Sequence, residues 1–167
     1  PGEQSGLNTG CGELRVVNNG VRLIPGAGDG PFDVTEIDGV PCVQTRKSVS
    51  EWRYLYFDVA DPYYYDHRGE LTVTVTYLDS GTDPILLQYD SADPGGDISA
   101  RYKEHPVRIA RENTGKWRTA TWTLKGARCA NRQNAGADFR LATPNSELAV
   151  TSLEVRKLPA DYAESLN

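Results

Sequence analysis

The chain has 167 residues, and 18 Lys and Arg stand against 23 Asp and Glu, for a net charge of −5. That length builds one domain with a real core and is short for two. A thinly basic surface disfavours general phosphate-backbone binding, and no apolar run approaches the ~20 residues that span a bilayer, so neither nucleic acid nor membrane is an expected partner.

Sixteen glycines and ten prolines predict many turns and few long helices. In chain order, ELRVVN and VRLIP are separated by Asn19-Gly20, and FDVTEI and VPCVQT by Asp38-Gly39. Both dipeptides favour the positive φ of tight hairpins. The strand of the 51–69 stretch then places Leu55, Phe57 and Val59 on one face and Trp52, Tyr54 and Tyr56 on the other. One face must be core. The second is an aromatic row on the outside of the sheet, or it is covered by another strand or loop.

Next comes Tyr63-Tyr64-Tyr65-Asp66-His67-Arg68, opened by Asp61-Pro62 and closed by Gly69, which reads as a loop. Its aromatics offer stacking surface beside polar groups, or they pack onto a sheet edge. LTVTVTYL at 71–78 is the clearest strand, with Leu71, Val73, Val75 and Tyr77 opposite three threonines. Breaks follow at 79–84, 91–97 and 112–115. TATWTL then alternates Ala120, Trp122 and Leu124 with threonines. In GARCANRQNAGADFR, the run Asn131, Arg132, Gln133 and Asn134 carries planar amide and guanidinium donors. These groups pair with vicinal hydroxyls or a carboxylate, or they build the turn before DFRLA. SLEVRKL is the last strand, with Leu153 and Val155 on its apolar face.

Strands at this density, about ten antiparallel ones, predict an all-β sandwich of jelly-roll type. Its expected extent is 1–158, with 159–167 (PADYAESLN after Leu158) as a C-terminal tail or linker.

Catalytic patterns are weak. There is no GxSxG elbow, phosphate loop, dinucleotide fingerprint or HExxH. Nothing marks His67 or His105 as a base, so no catalytic residue is expected. DSADPGGD at 90–97 resembles a calcium loop in composition only, which leaves room for a structural calcium ion. Three cysteines allow a Cys11–Cys42 disulfide, contributing about 3–4 kcal/mol in the chain-entropy model, or three buried thiols.

The run YLYFDVADPYYYDHRGELTVTVTYLDSGTDPILLQYDS, with TGKWRTATWTLKGARCANRQNAGADFRLA and LAVTSLEVRK, resembles a non-catalytic carbohydrate-binding-module-like β-sandwich of bacterial glycoside hydrolases and polysaccharide lyases. The resemblance implies a galactose-binding-like or jelly-roll sandwich, secreted and extracellular. It also implies a polysaccharide or oligosaccharide partner, a covalently linked catalytic domain in a larger parent chain, and a structural calcium away from the sugar. By the same analogy, Asn131 or Asn134 sits in a loop that supplies an amide to the ligand.

Two candidate ligand sites follow, and the sequence does not choose between them. One is a loop site, with Tyr63, Tyr64 and Tyr65 stacking and Asp66, His67 and residues 131–134 bonding; it suits a chain end. The other is the sheet face of Trp52, Tyr54 and Tyr56, which suits a longer stretch of chain. The alternatives are a structural or interaction sandwich that docks a neighbouring domain, and a small jelly-roll polysaccharide lyase or hydrolase.

Overall fold

A computed structural model describes residues 20–94 and 97–158, together with two short strands, β1 (Leu7–Asn8) and β2 (Arg15–Val16). The following strands are β3 (Val21–Leu23), β4 (Phe32–Ile37), β5 (Val40–Thr45), β6 (Arg53–Val59), β7 (Gly69–Leu78) and β8 (Leu86–Tyr89). A single helical turn, α1 (Ile98–Arg101), precedes β9 (Lys103–Glu104), β10 (Trp117–Ala127), β11 (Phe139–Thr143) and β12 (Ala149–Lys157).

Two five-stranded sheets form, in the orders β10-β7-β12-β5-β4 and β3-β6-β11-β8-β9, and every pairing is antiparallel. The eight strands from β5 onward run 5-12-7-10 in one sheet and 6-11-8-9 in the other. Successive strands alternate between sheets up to β8, which is the double Greek key of a jelly roll. The fold is thus the all-β sandwich that the alternation predicts.

The apolar positions of the period-two runs meet between the sheets. Leu71, Val73, Val75 and Tyr77 of β7 are buried, as are Trp122 and Leu124 of β10 and Leu153 and Val155 of β12. From the facing sheet come Leu55, Phe57, Val59, Leu87, Phe139 and Leu141, and the Phe57 and Phe139 rings stack at 5.1 Å. Each such side chain contributes about 1.5–3 kcal/mol on burial. Trp122 satisfies its one donor by bonding Val107 O at 3.0 Å.

The Asp38-Gly39 turn joins β4 and β5 as expected, with φ of 51° and 79°. The Asn19-Gly20 hairpin is different. Asn19 lies outside the described residues, and β3 pairs with β6, thirty-odd residues on, with Val21 opposite Val59. Gly20 is held there by close approach. Its φ is +81°, and a Cβ on it would come within 2.7 Å of the Ala60 side chain.

Cys42 and Cys129 are buried free thiols, and Cys11 lies outside the described residues. Burial raises the Cys42 thiol pKa. It raises that of Cys129 well above the ordinary range, helped by the nearby carboxylates of Asp138, Asp90 and Asp58. The tail at 159–167 also lies outside the described residues.

One buried ion pair ties three loops together. Arg111 donates to Ser80 O and Glu147 O, each at 2.8 Å, and to the Asp83 carboxylate. Asp83 also accepts the backbone N–H groups of Asn145 and Ser146.

Candidate functional site

The second sheet turns its outer face into a cleft. On β6 the alternation that sends Leu55, Phe57 and Val59 into the core sends Tyr54 and Tyr56 outward. On β11 it sends Phe139 and Leu141 inward and Arg140 outward; on β8 it leaves Gln88 outward. The pairings set Tyr56, Arg140 and Gln88 in one row across three strands.

Arg140 joins that row. Its Nε donates to Gln88 Oε1 at 2.6 Å and its Nη1 to the Tyr56 hydroxyl at 2.8 Å. The guanidinium carbon lies 4.2 Å from the Tyr54 ring centroid and 4.3 Å from that of Tyr102. Each cation–π contact of this kind contributes about 0.5–1 kcal/mol, and together they fix the guanidinium plane. Nη2 has no hydrogen-bond partner among the described residues. Trp52 stacks on Tyr54 in parallel, with centroids 6.2 Å apart, and is about one-third exposed.

Two loops fold over this face and make its walls. Residues 24–30 and 131–137 bring Ile24, Ala27 and Ala137 against Tyr56, forming a second apolar cluster outside the main core. That cover explains why Tyr56, on an outward position, is only 1% exposed. Burial pushes its hydroxyl up to about 12, the Arg140 charge and hydrogen bond work against this, and a hydrogen bond to Asp29 adds to it. Burial likewise raises Tyr54, and Arg140 opposes it.

Asn134 ties the two loops: its amide donates to Ala27 O and Asp29 Oδ1, both at 3.0 Å, and its backbone N–H donates to the Tyr102 hydroxyl at 2.7 Å. Close packing sets the other end, since a Cβ on Gly30 would lie 2.9 Å from the Tyr56 ring.

The third wall follows from α1. Asp97 caps that turn by accepting the Ala100 N–H at 3.2 Å, and the turn delivers Arg101 and Tyr102 to the rim. The resulting cleft has a volume of about 830 Å³. Arg132 enters it while bonded to the buried Asp90 carboxylate at 2.6 Å. Gln133 is buried beneath, its amide donating to Gln88 O and Arg101 O, while its Oε1 is buried with no partner among the described residues.

The two sites expected from sequence are thus divided differently. Arg132, Gln133 and Asn134 join Tyr56 in the cleft, beside Tyr54 and Trp52. Asn131 faces away into a shallower hollow of about 410 Å³, where its amide bonds Asp61 and its backbone N–H donates to Asp138. The 63–67 segment lines neither. Tyr64 is a core residue, 5% exposed, and so offers no stacking surface; its hydroxyl donates to Ala127 O at 2.6 Å and accepts the Gly69 N–H at 3.0 Å. Burial pushes it up to about 12.

Tyr63 accepts the Lys157 N–H at 2.9 Å, with the Lys157 ammonium 4.5 Å from its ring centroid. Asp66 accepts from Arg128 Nε at 2.6 Å, His67 lies against the Tyr64 ring, and Tyr65 projects to solvent.

Asp138, on the far side of the 131–137 loop, is fully buried and accepts the N–H groups of Val59 and Asn131. Burial pushes its carboxyl up to about 8; the two N–H bonds oppose this, and Asp58 beside it adds to the rise.

The aspartates at 90–97 have other work: Asp90 accepts from Arg132 and Ala130 N, Asp93 pairs with Lys103, and Asp97 caps α1. Among the described residues no group of three or more His, Cys, Asp and Glu is placed to hold a metal ion.

Sequence reasoning passes over Arg140, Gln88, Tyr102 and Asp29. The alternation in DFRLA carried a signal for the first, since Phe139 and Leu141 facing the core leave Arg140 facing out.

No family model matches the chain, and no curated protein matches it. Among solved structures, the CBM22-1 xylan-binding domain of Paenibacillus barcinonensis Xyn10C aligns over 84% of this chain and 87% of its own, at 12% identity with a TM-score of 0.49. The CBM22-1–GH10 modules of Clostridium thermocellum endo-1,4-beta-D-xylanase 10B, complexed with xylohexaose, align over 85% of this chain at 13% identity and a TM-score of 0.46; the match spans 27% of that protein's chain. The K1 cleaved adhesin domain of Lys-gingipain from Porphyromonas gingivalis W83 aligns over 93% of this chain and 97% of its own, at 15% identity and a TM-score of 0.44. The jelly-roll sandwich itself rests on this chain's own strand pairings.

Proposed function

We propose that this sandwich is a secreted carbohydrate-binding module, and that it holds a polysaccharide or oligosaccharide in the cleft over β6, β11 and β8. In this reading it targets a catalytic domain, linked to it in a larger parent chain, to that polysaccharide. The observation that supports it most is the cleft floor: Tyr56, Gln88 and Arg140 form a row of planar aromatic and planar hydrogen-bonding groups, each already fixed by its neighbours, with the Tyr54 ring against the Arg140 guanidinium. Sugar rings present apolar C–H faces and a rim of hydroxyls. Tyr102 and Trp52 suit the first, and Gln88, Asn134 and Asp29 suit the second. Groups immobilised before binding lose little entropy on binding.

Affinity electrophoresis through gels containing a broad panel of polysaccharides tests this. The wild-type protein is expected to be retarded by at least one glycan. Tyr102→Ala should abolish the retardation, and the Tyr63→Ala/Tyr65→Ala pair should leave it intact. Unretarded migration across the whole panel would overturn the reading. A chelator arm tests the structural calcium separately, because loss of retardation there would require a metal.

A further inference from the structure

We infer that the cleft selects a sugar bearing an oxyanion, a carboxylated or sulfated glycan, over a neutral one. The inference rests on the glycan-binding reading above and narrows its ligand.

The charge of the cleft runs against that of the chain. The chain carries −5, yet Arg101, Arg132 and Arg140 line the cleft against a single lining carboxylate, Asp29. Arg132 is answered by the buried Asp90 beneath it. The other two are not answered in that way. Arg140 bonds only neutral groups, Gln88 Oε1 and the Tyr56 hydroxyl, and Arg101 bonds the backbone oxygen of Asp97 at 3.4 Å. Neither has a carboxylate within 4 Å among the described residues, although the Asp97 carboxylate interacts with the Arg101 charge from farther off. Asp29 reaches Arg140 only through the Tyr56 hydroxyl and spends one oxygen on Asn134.

A half-buried guanidinium clamped between two tyrosine rings is costly to leave uncompensated, and its Nη2 has no partner among the described residues. A carboxylate or sulfate supplies the charge and the acceptor together. Such charge-assisted bonds are roughly twice as strong as neutral ones. A neutral hydroxyl would fill the same space and leave the charge uncompensated.

The test is affinity electrophoresis of the full chain at matched polymer concentration in four gels: polygalacturonate, dextran sulfate, a neutral xylan, and polyglutamate. Arg101→Gln and Arg140→Lys are run beside the wild type, with Tm measured for each. Retardation by polygalacturonate or dextran sulfate, at least tenfold stronger than by xylan, is expected, and which of the two retards names the oxyanion. Arg101→Gln, on the rim, should weaken it about five- to twentyfold with Tm unchanged, from the loss of one charge-assisted contact. Arg140→Lys keeps the charge and loses the planar fork, and should weaken it by a similar factor.

Retardation by xylan as strong as that by the better of the two charged glycans would overturn the inference and leave the binding module standing. Equal retardation by polyglutamate would overturn it as simple ion exchange. No retardation in any glycan gel would overturn both readings.

Discussion

Thr74 and Thr121 face outward across β7 and β10, with hydroxyls 2.9 Å apart, and Thr76 and Thr119 repeat the pair at 3.0 Å. Tyr56 and Arg140 occupy the corresponding outward positions across β6 and β11 of the other sheet, where two loops and α1 wall them in. Both faces follow from the same period-two alternation. The four threonines close their hydrogen bonds with each other, although Trp117 on the same β10 face keeps a buried Nε1 without a partner among the described residues. The aromatic face carries a cation, rings and a buried carbonyl whose valences its neighbours fill only in part. The contrast teaches that a sheet's outer face becomes a site where unsatisfied side chains lie under loops that can reach over them.

The most damaging attack on that contrast is Arg140→Ala. It removes two charged hydrogen bonds and the cation between Tyr54 and Tyr102, and should cost about 2–3 kcal/mol in urea unfolding and all glycan retardation. Gly30→Ala comes next. Its Cβ meets the Tyr56 ring at 2.9 Å and Tyr54 O at 3.2 Å, so overpacking should cost about 1–3 kcal/mol and shift Tyr56 under the cleft floor. Near-ultraviolet circular dichroism would register the movement of the ring.

The Asp58–Asp138 pair predicts a pH effect. Asp138 holds its proton in the folded state up to about 8, whereas an unfolded aspartate loses it near the ordinary carboxylate range. The unfolded state therefore binds fewer protons over that interval, and stability falls as pH rises from about 4 to 8. Asp58→Asn removes the neighbouring charge and should flatten that fall, read as urea midpoints at pH 5 and pH 8.5; parallel slopes for variant and wild type would count against the coupling. The smallest effect belongs to the threonine face. Thr74→Val with Thr121→Val should change stability by less than about 1 kcal/mol and leave retardation untouched, because the lost hydroxyl pair is local and exposed. A loss of binding there would erase the distinction between the faces.

Much of the fold was legible in the residues, and rather less of the site. The alternation of Leu55, Phe57 and Val59 against Trp52, Tyr54 and Tyr56 separates inside from outside without any structure. It says nothing of partners. Arg140 meets Tyr56 across 84 positions and Gln88 across 52, and those meetings exist only once β11 has paired with both β6 and β8. The triple tyrosine shows the opposite limit. In a loop the period-two rule lapses, so composition could not tell that Tyr64 turns inward to Ala127 O while Tyr65 faces water. The 131–134 run was divided by one turn of backbone, with Asn131 and Ala135 both at positive φ, which sends Asn131 toward Asp61 and Asn134 toward Asp29.

Cys129 carries a last consequence. Its sulfur is sealed in the core beside three aspartates, so the thiolate that attacks alkylating reagents and disulfides is suppressed twice, by burial and by like charge. While the sandwich is closed, this thiol is chemically silent. It becomes reactive only in molecules that have opened far enough to admit water between the sheets. The rate at which Cys129 takes up a label is therefore a clock for that opening, built into the chain without any engineered probe.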